Sequence, residues 1–414
     1  MKIQRAYKVE LDPNNKQKTL LAKSVGTARF AYNWGLETCI NVYKTEKKTL
    51  SGYDLGKILN AQKKEKFPWM YEVSKCAPQE ALKDVEKAYQ NFFRGIKSGQ
   101  KIGFPKFKSK HRSKNSFRID CVYSPITNSV IHIPKIGKIR LKEKGYIPTE
   151  NVHYNSVTIS KQADRWFSSV QCEVEIPDKP ETLPQVLGID MGIKTLATCS
   201  DGQNFENNKY LRKSEKKLAH AQRNLSRKKK DSQNFKKSKL RVQKIHLHVA
   251  NQRKDSIHKM TSTLVRTKPQ YFALEDLNVQ GMVKNHSLAR SLSDASFWEV
   301  KRQMLYKTFW YGGEVLEIDR FFPSSKKCSV CGNVKTNLSL SERIYACGAC
   351  GHTEDRDLNA SKNLEAYGLS TLSSRGIQAC GESVRPTGAF GPRAVSVNQE
   401  ENKSSRQEVV VGAL

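Results

Sequence analysis

Negative charge is scarce in this chain: 40 Asp and Glu stand against 72 Lys and Arg, a formal net charge of +32 over 414 residues. Such an excess is beyond what solubility needs and repels itself unless a polyanion is bound. Long apolar runs are lacking as well. No stretch approaches the ~18–20 residues of a spanning helix, and the opening MKIQRAYKVELD has no signal-peptide core. Nucleic acid is therefore a better anionic partner than a membrane surface. Cysteine is too thin for a disulfide scaffold: Cys39, Cys76, Cys121, Cys172, Cys199 and Cys380 are scattered, a pattern that suits a reducing cytoplasm. No repeat of solenoid length is present. The length implies about two to four domains, with a core large enough for an enzyme.

What the chain does contain falls into blocks. IQRAYKVELD alternates like a half-buried strand until Pro13 and two Asn break it. Leu21, Val25, Ala28, Tyr32, Leu36 and Ile40 then recur at helical spacing, and Leu82, Val85, Tyr89, Phe92 and Ile96 form a second stripe behind Pro78. The aromatics of that stripe suit core packing or, alternatively, base stacking. Residues 13–105 read as a helical bundle. GQKIGFPKFKSKHRSKNSFR follows, with Phe104, Phe107 and Phe117 interleaved among cations such as Lys106 and Lys108. It reads equally as a solvated loop or as a nucleic-acid contact. SVIHIPKIGKIRL and RWFSSVQCEVEI are strand-like. If the opening strand joins them, residues 1–12 and 106–180 make a β-rich domain into which the bundle is inserted.

DKPETLPQ reads as a linker. Beyond it, Lys209 to Lys254 carries seventeen basic residues against two acidic ones, with Leu218, Leu225, Leu240, Ile245 and Val249 at helical intervals. The stretch suggests two long basic helices that either are merely soluble or contact nucleic acid, with Arg227, Lys228 and Lys229 as candidates. Residues 371–414 turn to Ser, Gly, Pro and Thr and read as a flexible tail.

Three acids occupy places that chemistry would use. Asp190 ends the apolar run VLGID, Glu275 ends YFALE, and Asp357 opens the helical DLNASKNLEAYGL. Singly, each is more often a turn former or helix cap. Together, carboxylates from two strand ends and one helix have the geometry to hold a pair of Mg²⁺ ions for phosphodiester hydrolysis. EVLEID adds a further strand, and the mixed sheet with flanking helices is an RNase H-like arrangement. Asp276, Asp319 and Asp355 are neighbours that a mistaken assignment would confuse with them.

Cys328-x2-Cys331 and Cys347-x2-Cys350, fifteen residues apart, have the spacing of a tetrahedral Zn²⁺ ribbon. A redox pair would need only one of them. Each pair is followed by Gly, which lets backbone amides turn toward the thiolates. All four sulfurs are needed as ligands, so the zinc is expected to be structural, with His352 a neighbour rather than a ligand.

GIDMGIKTLATCSDG, FALEDLNVQGM, SFWEVKRQMLYKTFWYGGEVLEIDRFFPSSKKCSVCG and CGHTEDRDLNASKNL closely resemble the TnpB/OrfB family of insertion-sequence proteins, as do ARFAYNWGLE and GFPKFKSK. The resemblance spans about residues 1–370. It implies a multidomain α+β chain: a wedge-type β-domain carrying the recognition bundle, a RuvC nuclease domain over 181–322 and 352–370, and a zinc-ribbon insertion over 323–351 that binds target nucleic acid. It implies further that Asp190, Glu275 and Asp357 are the catalytic, Mg²⁺-holding acids. The activity implied is RNA-guided cleavage of double-stranded DNA beside a short flanking motif, directed by a noncoding RNA from the transposon end. A monomer or weak dimer, cytoplasmic and nucleoid-associated on DNA, is expected. Tyr53, Lys75 and Gln79 are candidates for reading the flanking motif, or else ordinary surface residues. A nuclease-inactive RNA-guided repressor and a guide-independent structure-selective nuclease are the alternatives. A transposase is disfavoured, because the one His-x-His, at His246 and His248, lies in the basic helical stretch without a catalytic Tyr nearby.

Overall fold

A computed structural model describes residues 2–100, 102–120, 125–175, 185–266, 271–339 and 341–375. Cys121, Cys380, most of the DKPETLPQ segment and the tail beyond 375 lie outside them. The chain divides into two compact units, Met1–Ile176 with Lys228–Leu247, and Pro177–Arg227 with His248–Leu414.

The first unit opens with β1 (Lys2–Asp12), followed by α1 (Asn15–Glu46), α2 (Gly52–Lys66) and α3 (Cys76–Lys97). The strands β2 (Asn115–Asp120), β3 (Val130–Ile133), β4 (Gly137–Leu141), β5 (His153–Gln162) and β6 (Arg165–Glu175) complete it. They form one sheet in the order β2-β5-β6-β1-β4-β3. β1 pairs antiparallel with β6 from Lys2↔Glu175 to Leu11↔Trp166, and with β4 at Leu11↔Leu141. The three helices are thus inserted between two strands of one sheet, β1 and β2. A capping box starts α1: Asn14 Oδ1 accepts from the Gln17 amide at 2.9 Å, and Gln17 Oε1 accepts from the Asn14 amide at 3.0 Å. Leu21, Val25, Ala28, Tyr32 and Leu36 are buried on one stripe, as their spacing predicts. At Gly35 a Cβ would stand 2.8 Å from Leu82 Cδ2, so α1 and α3 cross closely. The α3 stripe ends differently from expectation. Leu82 and Val85 are buried, whereas Ile96 is exposed; Tyr89 packs against the core and on Phe104, at 5.6 Å between ring centroids, and Phe92 packs on Phe104 at 5.4 Å.

The second unit contains β7 (Val186–Asp190), β8 (Thr195–Cys199), β9 (Asn204–Glu206), α4 (Tyr210–Ser226) and the C-terminal part of α5 (Gln233–Arg266). After these come β10 (Tyr271–Glu275), α6 (Val279–Met282), α7 (His286–Ala295), α8 (Phe297–Trp310), β11 (Glu314–Ile318), β12 (Ile344–Ala346), β13 (Thr353–Asp355) and α9 (Arg356–Ser374). The sheet order is β11-β10-β7-β8-β9, with β11, β10 and β7 parallel and β8 and β9 antiparallel. Both faces of the parallel strands are covered, which is why VLGID and YFALE are continuously apolar. Leu187, Ile189, Phe272 and Leu274 pack with Ile257, Leu264 and Met304 of α5 and α8, while Val186, Ala273 and Leu316 pack with Leu364 and Leu372 of α9.

Three boundaries depart from those expected. Residues 228–247 group with the first unit instead of with 181–322; Lys244 Nζ of α5 lies 2.6 Å from Asp164 Oδ2 in the β5–β6 turn. The cysteine module runs past 351, because β12 pairs with β13 from Ile344↔Asp355 to Ala346↔Thr353. The final helix enters the supposed tail, since Leu372 is still buried against the sheet. Among the described residues no helix is long and apolar enough to cross a membrane.

Candidate active site

β7 and β10 are parallel neighbours with Ile189 opposite Leu274, so the next residues, Asp190 and Glu275, end adjacent strands side by side. Ile189 and Leu274 point to the α5–α8 face; by alternation Asp190 and Glu275 point to the α9 face. Gly188, on that same face, brings the helix in. A Cβ there would lie 1.9 Å from the Ser361 carbonyl oxygen and 2.6 Å from the Glu365 amide, so α9 rests backbone on backbone against β7. Gly368 allows a second approach, its Cβ position falling 2.9 Å from Val186 Cγ1. The helix therefore advances as the strand recedes. Going back four residues from Ser361 moves ~6 Å along the helix, and going forward two from Gly188 moves ~6.6 Å along the strand. Those steps bring Asp357 toward Asp190.

The electrostatics agree. Burial, then the Asp357 and Glu275 charges, push the Asp190 carboxyl up to about 7. Burial and then Asp276 raise Glu275 as well. The three acids share one field without closing on a single point; among the described residues, only a cysteine group has its ligand atoms all within 4.8 Å of one another.

The rival acids are otherwise engaged. Asp276 is held by Lys301 at 2.8 Å and by Arg320, and the Lys301 hydrogen bond, outweighing burial, keeps it below the usual carboxylate range. Asp319 accepts the Phe321 amide at 2.8 Å in a turn. Asp355 caps α9, accepting from the amides of Asp357 at 2.9 Å and Leu358 at 3.1 Å. That cap fixes where the first helical turn, and with it Asp357, begins.

The four cysteines of the ribbon converge. Cys328 and Cys350 sulfurs are 3.7 Å apart and those of Cys331 and Cys347 3.5 Å, close to the ~3.7 Å edge of a tetrahedron with Zn–S bonds of ~2.3 Å. Hydrogen bonds from the Cys350 and Ala349 amides bring the Cys347 thiol down to about 6, a thiolate prepared for a cation. The donor set and spacing fit Zn²⁺. His352 turns to Glu354, Nε2 to Oε2 3.5 Å, and is no part of the cluster.

Comparisons with known proteins bear on both centres. Family models match residues 169–286 (OrfB of IS605, "Probable transposase"), 297–364 ("Cas12f1-like, TNB domain") and 1–48 ("Helix-turn-helix domain"). A Streptomyces pristinaespiralis protein named "Putative RNA-guided DNA endonuclease" is 35% identical over 93% of this chain and 92% of its own. The chain belongs to the OrfB/TnpB family. Escherichia coli InsQ, which carries the same description, is 32% identical over 93% of this chain and 96% of its own. The Cas12f1 chain solved with sgRNA and target DNA shares the fold at a TM-score of 0.55, with 13% identity, covering 88% of this chain and 99% of that one. Residues 1–48 hold β1 and a single long helix rather than two helices.

In this member of the OrfB/TnpB family, two asparagines join the ribbon to the acid-bearing helix. Asn359 is 0% exposed and Asn363 3%. Asn359 Nδ2 donates to the Lys327 carbonyl at 2.8 Å and its Oδ1 accepts from the Ser329 amide at 2.9 Å, bracketing Cys328. Asn363 Nδ2 donates to the carbonyls of Ser324 at 2.9 Å and Lys327 at 2.7 Å. Sequence reading passed over both; their spacing of four beside the CxxC was the available signal.

The candidate nucleic-acid contacts are dispersed. Tyr53 is 72% exposed with Lys57 Nζ 4.6 Å above its ring. Lys75 and Gln79 line one small cavity with Gly56 and Asn60 of α2, a turn beyond Tyr53. Lys106, Arg227, Lys228 and Lys229 are exposed. Lys108 differs from them: its Nζ lies 3.7 Å from the Tyr32 ring centre and 3.9 Å from Asp84, and desolvation lowers its pKa. Asn33 grips its backbone through both amide groups, at 2.8 and 2.7 Å. That ammonium already has partners in the fold.

Proposed function

We propose that this chain is an RNA-guided DNA endonuclease whose second unit is an RNase H-like, RuvC-type nuclease. The observation that supports the reading is the approach of Asp190, Glu275 and Asp357 from two strand ends and the helix packed on them, in a molecule that is otherwise strongly basic. Its full-length resemblance to relatives named RNA-guided DNA endonucleases supports the guide dependence.

Three mutually repelling carboxylates with hard oxygen donors suit Mg²⁺. When bound, such ions supply charge neutralisation at the scissile phosphate and a water acidic enough to attack it. The chain's own part is to hold oxygens rigidly. Two ligands stand on strands buried on both faces, and the third on a helix fixed by the Asp355 cap and the Gly188 contact. Lys301 and Arg320 keep Asp276 out of the ligand set. The zinc ribbon holds structure beside the site; with four thiolates engaged it keeps no open position for catalysis. A transposon-derived noncoding RNA, gripped through its backbone by the basic surface, would pair with the target beside a flanking motif, with Tyr53, Lys75 and Gln79 still the candidates for reading it. Such chemistry belongs in the bacterial cytoplasm.

The test is Asp190→Ala in the full chain. Copurified RNA should be retained while Mg²⁺-dependent cleavage of a guide-matched plasmid disappears; cutting by the variant would remove the site. Cleavage of branched DNA by a preparation carrying no discrete RNA would favour a guide-independent nuclease instead.

A further inference from the structure

One face of α8 carries a ladder that core packing does not explain. Trp298, Arg302, Tyr306 and Trp310 recur every fourth residue, while Val300, Gln303, Met304 and Lys307 are buried on the other side. The Arg302 guanidinium lies 5.9 Å from the Trp298 ring centre and 5.4 Å from that of Tyr306, and Tyr306 and Trp310 meet edge to face at 4.5 Å. Glu299 holds Arg302 in a two-point fork, at 2.8 and 2.7 Å, so the guanidinium plane is fixed and its charge largely spent. Trp298 at the head of the row is 64% exposed. Three steps of this kind extend over ~18 Å. The result is a rigid, nearly neutral row whose exposed head, Trp298, is suited to stacking.

A cationic rail runs beside it. Lys307 Nζ ties α8 to α5, donating to the His258 carbonyl at 2.9 Å, Thr261 Oγ1 at 2.7 Å and Ser262 Oγ at 2.8 Å. The adjoining last turns of α5 line an open depression of about 290 Å³ with His258, Lys259, Ser262, Thr263 and Arg266. Lys259 is paired with Asp255 at 2.8 Å, whereas Arg266 and Lys254 are exposed. The head of the ladder lies at the carboxyl end of the parallel strands, because Lys301, one turn after Trp298, reaches Asp276 beside Glu275, on the sheet face opposite the one to which Asp190 and Glu275 point. Stacking faces next to phosphate-binding cations fit a strand whose bases are unpaired; a duplex hides the base faces.

We infer that α8 and the last turns of α5 form a track for one unpaired DNA strand, with Trp298 stacking a base before the strand rounds the end of the sheet toward the carboxylates on its other face. The choice of DNA rests on the nuclease reading above.

The test uses the full-length protein as purified, without added Mg²⁺, and oligothymidylate DNA carrying 5-iododeoxyuridine. Photocrosslinks should map to Trp298 or Tyr306. Trp298→Ala should weaken oligothymidylate binding by about tenfold, within the range of one lost stacking contact, and Trp298→Phe should restore most of it. Unchanged affinity in Trp298→Ala, or crosslinks confined to other segments, would overturn the track. Preferential crosslinking of an oligouridylate of the same length would overturn the assignment to DNA. Failure of the nuclease reading would show separately, as wild-type protein that does not cut with Mg²⁺ present.

Discussion

Asp190 concentrates the electrostatic cost of the site. Its folded pKa of about 7 lies above the ~3.9 of an unfolded Asp. The folded state therefore holds the proton more tightly, and the stabilising share of the protonated acid is lost as pH rises from about 4 through about 7. In EDTA, Asp190→Asn should raise the melting temperature more at pH 8 than at pH 5; equal gains at both would contradict the burial and repulsion assigned to this group. With Mg²⁺ present the proton must be displaced, so cleavage should fall as pH drops below about 7 at limiting metal. Glu275 and Asp276 make the complementary case. Glu275→Gln should reduce cleavage at least about a hundredfold, beyond what loss of a supporting contact costs a metal site. Asp276→Asn, which frees Lys301 and Arg320, should mainly lower stability. Sequence alone chose Glu275 from the strand end and the family resemblance, with Asp276 as a neighbour open to confusion; what sets Asp276 apart is a pair of cations from elsewhere in the chain, at 301 and 320.

At the level of elements, periodicity revealed what depends on one segment and missed what depends on two. The α1 stripe, the alternation in β1, the apolar runs of β7 and β10 and the cysteine spacing were readable because each is local. The role of Gly188 was not, since within VLGID it is merely a small residue until α9 arrives. Gly188→Ala would drive a methyl group to 1.9 Å from the Ser361 carbonyl oxygen. It should cost about 3 kcal/mol or more, or displace α9 and its Asp357. The contacts of Lys108 were hidden for the same reason: its neighbours Tyr32, Asn33 and Asp84 lie far away in sequence. The asparagine clamp makes the ribbon and the acid site one mechanical piece. Asn363→Ala would leave the Ser324 carbonyl without this donor and the Lys327 carbonyl with that of Asn359 alone, a loss of about 1–3 kcal/mol. Stripping zinc with a chelator should act through the same joint and weaken Mn²⁺ binding at the carboxylates, read by electron paramagnetic resonance. Unaltered Mn²⁺ affinity after complete zinc loss would show that the ribbon does not position α9.

For the whole molecule, the net charge of +32 makes polyanion binding a matter of how many cations are free to meet phosphates. Exposure distinguishes them. Arg227, Lys228 and Lys229 are exposed in the α4–α5 turn, whereas Lys108 is turned onto Tyr32. Replacing the three turn residues together by Gln should weaken RNA binding and reduce the slope of log affinity against log salt by about 2–3, one counterion for each lost contact. Lys108→Gln should leave that slope unchanged and instead lower the melting temperature, through the loss of its contacts to Tyr32 and Asp84. The opposite pattern, a smaller slope for Lys108→Gln and none for the triple variant, would place the RNA on the Gly-Phe-Pro segment rather than on the basic helices.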